Sequence, residues 1–495
     1  MILVIDLGTT GVRCIAYSEE WHSVASNYLN LKHETPGPGM FVQDLKDILE
    51  KTVTVLEATW KQVGAPREAY LAITNQRESL AVWDKRTGEP LAPSLNWQDV
   101  RYGRVLDELK ADGREAQIHE MTGLRLFPYF TAGKIVWMLD HDPELRKRCE
   151  SGEVAMGTLD AWLVWSLTGG TDGGRLVTDV TNASRTCLMD LNTLSWSDRL
   201  LEWFRVPRAA LPDIVPSGSP NAFGAVRHPR LPADMPIVGV IGDQQASLLG
   251  QSCVQPGFAK NTYGTASAIL INADREIKTA CRDLLSTVFY QVEGDRAKFA
   301  LEGSTGATGG IIDWLRNSLG CSSLEEVNAL AAGVPDSEGV YFIPAFSGLY
   351  APYWDVEVRG SIYGLTMHST KAHIVRAAYE SIALQTLDVL NTAKQQAQID
   401  VRMIRVDGGA SKNEFLMQLQ ADILGIPVWQ LDEQDITSRG AAYLAGMVLG
   451  LLDPQKIESL YQVKKIYDPV WSDERRAALY EGWKEAIAKA RHRPE

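Results

Sequence analysis

Met1-Ile-Leu-Val-Ile-Asp6-Leu7-Gly8-Thr9-Thr10-Gly11-Val12-Arg13-Cys-Ile-Ala-Tyr17 opens the chain, and its reading decides the fold class. A short β-branched-rich apolar run ends at Asp6, small turn residues follow, and an apolar segment resumes at once. That order predicts strand, Gly-rich turn, strand. A related pattern recurs far downstream, where Gly257 to Thr262 leads through Tyr263-Gly264-Thr265 into Ala268-Ile-Leu-Ile271. Two Gly-Thr turns suggest a duplicated architecture of about 250 residues per half, although two ordinary hairpins would read the same way over so short a repeat.

Working outward, Met235 to Ile241 predicts a buried strand ending at Gly242-Asp243, and Gln244 to Leu249 the start of a helix. The halves divide near Gln251 to Pro256. Arg402 to Val406 reads as a strand, Asp407-Gly408-Gly409 as a tight turn, and Ser411 to Leu424 as a helix with Phe415, Leu416, Leu419 and Ile423 on one face. Lys371 to Leu390 is amphipathic, Ser438 to Leu449 is a small-residue helix suited to close packing, and Trp471 to Glu495 is a charged helix. Strands alternating with helices point to α/β layers.

The 495 residues are 45% hydrophobic and 22% charged, which suits two large globular domains. Lys plus Arg total 49 against 62 Asp plus Glu, a formal charge of -13 that disfavours nucleic acid and anionic membranes as partners. A phosphorylated ligand stays open, because backbone N–H groups can cradle phosphate inside an acidic protein. Six cysteines without a CxxC pair indicate neither a zinc site nor a disulfide framework. No basic leader precedes the first apolar run and no stretch approaches 18 apolar residues, so the expectation is a soluble cytoplasmic protein.

Asp6-Leu7-Gly8-Thr9-Thr10-Gly11 ends a strand with small residues that let N–H and hydroxyl groups approach a polyanion, and Asp6 could hold Mg²⁺. The plainer alternative is a Gly turn in which Asp6 bonds its own backbone. Asp243 could accept the proton of a substrate hydroxyl attacking a γ-phosphoryl group, or cap the helix behind it; the two roles are compatible. Arg77-Glu78 at a strand end suits vicinal hydroxyls, or else forms a surface ion pair. Trp97 could lie against a carbon skeleton, or pack in the core. No GxxxxGK[ST], GxGxxG or HExxH pattern is present, which excludes a P-loop and leaves dinucleotide and metal-hydrolase readings without support.

With these motifs in place the chain resembles the FGGY carbohydrate kinase family, from about Ile2 to Leu449. Further segments carry the resemblance: Thr122 to Phe130, Gly157 to Leu163, Thr178-Asp179-Val-Thr-Asn182-Ala-Ser184-Arg185-Thr186, Gly242 to Ala246, Lys260 to Thr265, Pro344 to Gly348, Ala351 to Asp355 and Arg376 to Ala383. It implies an α/β fold of two actin-like ATPase (ribonuclease H-like) domains with an interdomain active-site cleft. Residues 1–251 would form the N-terminal, polyol-binding domain, 252–452 the C-terminal, nucleotide-binding domain, and 453–495 a helical tail. Carried over by motif, Thr9, Thr10, Arg13, Thr265, Gly309, Asp313, Gly409 and Asn413 would lie at ATP. Asp6 and Asp243 would organise Mg²⁺. Arg77, Glu78, Tyr129, Asp243 and Gln244 would hold the polyol, Trp97 would face its carbons, and Asp243 would be the general base.

The subfamily expectation is ATP-dependent phosphorylation of glycerol to sn-glycerol 3-phosphate, because Arg77-Glu78 differs from the Gln-Met-His-Gly type of xylulose-phosphorylating members. Several positions depart from the glycerol pattern: Leu7 stands for Gln, Gly11-Val12 for a Ser pair, Tyr350 for Gly and Asp313 for a nucleotide-side Gln. Ala268 replaces an aromatic that packs on glycerol, which keeps a larger polyol or ketose as the alternative; one such contact discriminates by only about 1 to 3 kcal/mol. A non-enzymatic actin-like module is disfavoured by the polar set Arg77, Glu78, Tyr129 and Gln244. Arg227 to Met235 lacks the pattern through which some bacterial members bind fructose 1,6-bisphosphate, so no inhibition by that ligand is expected. A dimer or tetramer is compatible with the resemblance.

Overall fold

A computed structural model describes residues 1–232, 234–274, 281–431 and 435–492. Ala233, inside the Arg227 to Met235 stretch, and the last three residues of the tail lie outside the described residues. The chain forms two compact units: Met1–Ser252 with Ser286–Ala300 and Asp435–Leu460, and Cys253–Leu285 with Leu301–Gln434 and Tyr461–Glu495.

In the first unit Ile2–Leu7 is buried along nearly its whole length, as its unbroken apolar run requires of a central strand. It pairs antiparallel with Gly11–Tyr17 on one side and parallel with Tyr70–Asn75 on the other. Ser23–Asn30 extends one edge and Ile237–Gly242 the other, giving a five-stranded sheet. Helices Leu45–Gln62 and Leu159–Leu167 contribute Leu45, Ile48, Leu56, Leu159, Trp162 and Leu163 to the core around it.

The second unit repeats this pairing. Phe258–Tyr263 lies antiparallel to Ser267–Asn272 and parallel to Met403–Gly408, which is parallel in turn to Val428–Leu431. The strand Lys298–Thr305, most of which belongs to this unit, borders Ser267–Asn272. The two Gly-Thr turns therefore occupy equivalent places in two sheets, a duplication rather than two unrelated hairpins. The 27-residue helix Lys371–Ala397 runs through the core of this unit.

The stretch 453–495, expected to be helical, holds helices Pro454–Ser459 and Asp473–Arg491 and also a strand, Val463–Tyr467, antiparallel to Val428–Leu431. Among the described residues no helix is long and apolar enough to cross a membrane. All six cysteines are buried and unbridged.

Candidate active site

Parallel pairing sets the first half of the site. Leu7 stands level with Asn75, and Asn75 with Gly242, so Asp6, the Gln76–Glu78 segment and Asp243 emerge at one edge of the sheet. Arg77 and Glu78 are both buried, at 7% and 5% exposure, which removes the surface-ion-pair alternative. Arg77 Nε lies 3.3 Å from Asp243 Oδ1, and the Glu78 carboxylate accepts from Arg185 Nε at 2.7 Å. Glu78 holds a left-handed backbone, φ 62°, a conformation that costs a non-glycine residue about 1 kcal/mol or more. Its carbonyl accepts from Thr131 Oγ1 at 3.2 Å, and together these contacts fix the carboxylate in place.

Asp243 is the first residue of the helix Asp243–Gly250, and its Oδ1 accepts from the Gln244 N–H at 2.7 Å. Gly242 rather than Asp243 is the N-cap of this helix, so the expected capping role is not met; the carboxylate takes the single Gln244 N–H and its side chain remains 28% exposed. Burial, then the charge of Asp243, push the Asp6 carboxyl up to about 6, with Arg13 acting in the other direction. Two carboxylates that repel each other at a strand edge suit a Mg²⁺ ion, which takes one or two protein carboxylates and completes its shell with water and phosphate oxygens. Among the described residues no group of three or more His, Cys, Asp or Glu could hold a metal ion.

The Thr9 turn sits on a buried carboxamide cluster. Thr9 Oγ1 donates to Gln76 Oε1 at 3.1 Å, and Gln43 Nε2 donates to the Thr9 carbonyl at 2.8 Å. Gln76 Nε2 donates to Gln43 Oε1, and Asn96 Nδ2 lies within hydrogen-bond distance of both acceptors. Trp97 is 38% exposed rather than part of the core, and its indole N–H donates to Thr9 Oγ1 at 3.0 Å. The Thr10 carbonyl accepts from the Leu31 N–H at 2.9 Å. Arg13 pairs with Asp435, just before the helix Ile436–Val448. Tyr129 packs against Phe127 and Phe130.

A further layer orients these groups. The Gly242 N–H donates to Thr181 Oγ1 at 2.8 Å, and that hydroxyl donates to Asp179, which caps the short helix Val180–Ala183. Asp179 also accepts from Ser217, and Asn182 pairs with Asn75. Burial and the neighbouring Asp179 raise the Asp160 carboxyl. Lys134, fully buried, donates to the Tyr129 carbonyl and lies 5.5 Å from the Tyr102 ring centre. Burial lowers its ammonium to about 7, against the pull of Glu78 and then Asp99.

In the second unit the Gly-rich turns also meet. The Gly309 N–H donates to Gly264 O at 3.0 Å, and the Thr308 and Gly310 N–H groups donate to Thr265 O. A Cβ on Gly309 would stand 2.7 Å from Gly264 O, so this approach requires glycine. Gly408, at φ 88°, presses on Tyr263, whereas Gly409 faces open space. Asn413 caps the helix Glu414–Leu424 through Oδ1 and donates to Asn328 at 2.7 Å. Asp313 is exposed, 3.5 Å from Arg316, and Ala268 stands opposite Thr262 in the Ser267–Asn272 strand. Sequence reading missed Arg185, Lys134, Gln43, Gln76 and Asn96. Lys134 had one signal, as the lone charge in the apolar run Thr131 to Leu139.

Comparison with known proteins identifies the family. The model of the FGGY family of carbohydrate kinases, N-terminal domain, matches residues 1–250, and that of the C-terminal domain matches 259–449. Glycerol kinase of Citrifermentans bemidjiense is 43% identical over 489 residues, covering 98% of each chain. Glycerol kinase 2 of Thermotoga maritima is 42% identical over 494 residues, covering 99% of this chain and 98% of its own. The crystal structure of Plasmodium falciparum glycerol kinase with ADP superposes with a TM-score of 0.93 at 33% identity, covering 100% of this chain and 99% of its own. Xylulose kinase of Lactobacillus acidophilus shares the fold, with a TM-score of 0.87 at 24% identity over 99% of this chain and 98% of its own. The chain thus belongs to the FGGY family of carbohydrate kinases.

Proposed function

We propose that the chain transfers the γ-phosphoryl group of ATP to glycerol, giving sn-glycerol 3-phosphate and ADP, with Asp243 as general base. The observation that carries this reading is the buried Arg77–Glu78 pair beside Asp243, with Arg77 Nε 3.3 Å from the carboxylate. Glu78 accepts from the vicinal hydroxyls and Arg77 donates to them, while Tyr129 and Gln244 complete the polar wall and Trp97 faces the carbons. Asp243 takes the proton of the hydroxyl oxygen as that oxygen bonds to the γ-phosphorus, and the bond to the ADP oxygen breaks. Arg77 holds Asp243 in position through their 3.3 Å contact.

Thr9, Thr10 and Arg13 on the first unit and Thr265, Gly309, Gly409, Asn413 and Asp313 on the second are the proposed nucleotide contacts. Asp6 and Asp243 would hold Mg²⁺, whose charge neutralises the phosphate oxygens when bound. The full-length likeness to glycerol kinases at 41–43% identity supports glycerol over a larger polyol. The test is ATP-dependent product formation by the purified chain. Glycerol should stimulate ADP release and yield the sn-3-phosphate stoichiometrically; ADP release indifferent to glycerol would remove the assignment.

A further inference from the structure

The buried carboxamides join two parts of the site that chemistry assigns to different ligands. Gln43, Gln76 and Asn96 are each at most 1% exposed, and their amide groups bond mainly to one another and to Thr9. Gln76 immediately precedes Arg77 and Glu78, and Asn96 immediately precedes Trp97. Both oxygens of Thr9 are committed to this cluster and its edge. The carbonyl accepts from Gln43, the hydroxyl donates to Gln76, and the same hydroxyl accepts the Trp97 indole N–H. The direction of each bond is fixed, because an indole N–H only donates and the Thr9 hydroxyl has one proton to give.

Most buried carboxamides serve backbone groups near them in sequence. Here the partners lie 34 and 67 residues from Thr9 along the chain, and the indole 88 residues away. A shift of the indole ring therefore moves the donor that holds the Thr9 hydroxyl oxygen, and a shift of Thr9 moves the ring. Trp97 is the most exposed member, Thr9 is partly exposed and the three carboxamides are buried, so a ligand against the carbons' side of the pocket reaches the network through the indole.

We propose that the Thr9–Trp97 hydrogen bond, braced by Gln43, Gln76 and Asn96, couples occupancy of the polyol pocket to the geometry of the phosphate-binding turn. This rests on the functional reading above. Trp97 acts here as a positioning residue for the nucleotide, beyond its contact with polyol carbons. Bound polyol fixes the ring, the ring fixes the Thr9 hydroxyl, and ATP meets a turn already set. By linkage, nucleotide must tighten polyol binding by the same factor.

Calorimetric titration measures that factor directly, as the polyol dissociation constant with and without a non-hydrolysable ATP analogue and Mg²⁺. The wild-type chain should show positive coupling of about fivefold or more, the lower end of ordinary coupling between sites. Trp97→Phe keeps an aromatic face and removes the N–H, and Thr9→Val keeps the shape and removes the hydroxyl. Both should bring the factor to near one, while Thr9→Ser should restore it. A general loss of packing would weaken either ligand without abolishing their mutual effect. Titrations use glycerol, erythritol and D-xylulose in parallel, so failure of the glycerol reading shows as a different best ligand, on which the coupling is still measured. Undiminished coupling in Trp97→Phe and Thr9→Val, or no coupling in the wild type with any of the three, overturns the proposal.

Discussion

Asp243 stands at the junction of a strand and a helix, although Gly242 and not Asp243 caps that helix. Its carboxylate accepts from the Gln244 N–H at the start of a helix, yet stays partly exposed and paired with Arg77. Asp243→Asn preserves shape and an acceptor for the Gln244 N–H but cannot take a proton, so kcat should fall by about 10² to 10⁴-fold while glycerol still binds. Turnover assays beside equilibrium binding check this, and near-wild-type turnover would strip Asp243 of its role. At this scale the sequence displayed the residues that end strands, because short motifs at strand termini are contiguous. Arg185 stands in a segment that carries the family resemblance but takes no role from it, and Lys134 is not singled out, since each reaches the site from a distant segment and only burial beside Glu78 or the Tyr129 carbonyl gives it meaning. The carboxamide cluster was hidden for the same reason.

Two pairs of elements set the rigidity on which those residues depend. Helices Asp243–Gly250 and Ile436–Val448 touch backbone to backbone: a Cβ on Gly440 would stand 1.8 Å from Ala246 O, and one on Gly250 would stand 2.0 Å from Ile436 O. Gly440→Ala must separate the helix that carries Asp243 from its neighbour, so denaturant unfolding should show a loss of about 3 kcal/mol or more. Gly103→Ala, with nothing near its Cβ, should be neutral or slightly stabilising. The small-residue character of the second helix was legible, but its partner was not. The strand Val463–Tyr467 was missed because Val463-Lys-Lys-Ile-Tyr467 is mostly exposed at a sheet edge and lacks a strong apolar alternation.

The Asp473–Arg491 helix is tied to the helix Lys371–Ala397 by one buried carboxylate. Asp388 accepts from Trp483 Nε1 at 2.8 Å, Tyr480 at 2.8 Å and Tyr353 at 2.9 Å. Burial raises it from 3.8 to about 6, although all three donors favour the charged form. The folded state thus holds this proton more tightly than the unfolded one. Its contribution to stability is full below about pH 4, declines as pH rises to about 6, and is flat above, a change on the order of 3 kcal/mol. Asp388→Asn should flatten that part of the pH–stability curve between pH 4 and 6. An unaltered slope would assign it to other groups.

For the whole molecule, the duplicated pairing of the two sheets explains why one seventeen-residue opening could reveal the fold class. The same strand order recurs around Phe258–Tyr263, with Gly-rich turns at matching places. Chain division was less legible: Ser286–Ala300 and Asp435–Leu460 belong to the first unit, although they lie beyond its N-terminal half in sequence. Periodicity reports elements, whereas a return of the chain to an earlier unit leaves no local mark. The formal charge of -13 gives a nucleotide no general attraction, so the proposed hold on it is local, through turn amides, Arg13 and a metal at Asp6 and Asp243. Glycerol as the acceptor is the central claim, and Ala268 is the residue that most strains it. The direct test is kcat/KM of the purified chain with ATP and Mg²⁺ across glycerol, erythritol, ribitol, D-xylulose and D-ribulose. Glycerol should lead by about tenfold or more; a best substrate with four or five carbons would contradict the account.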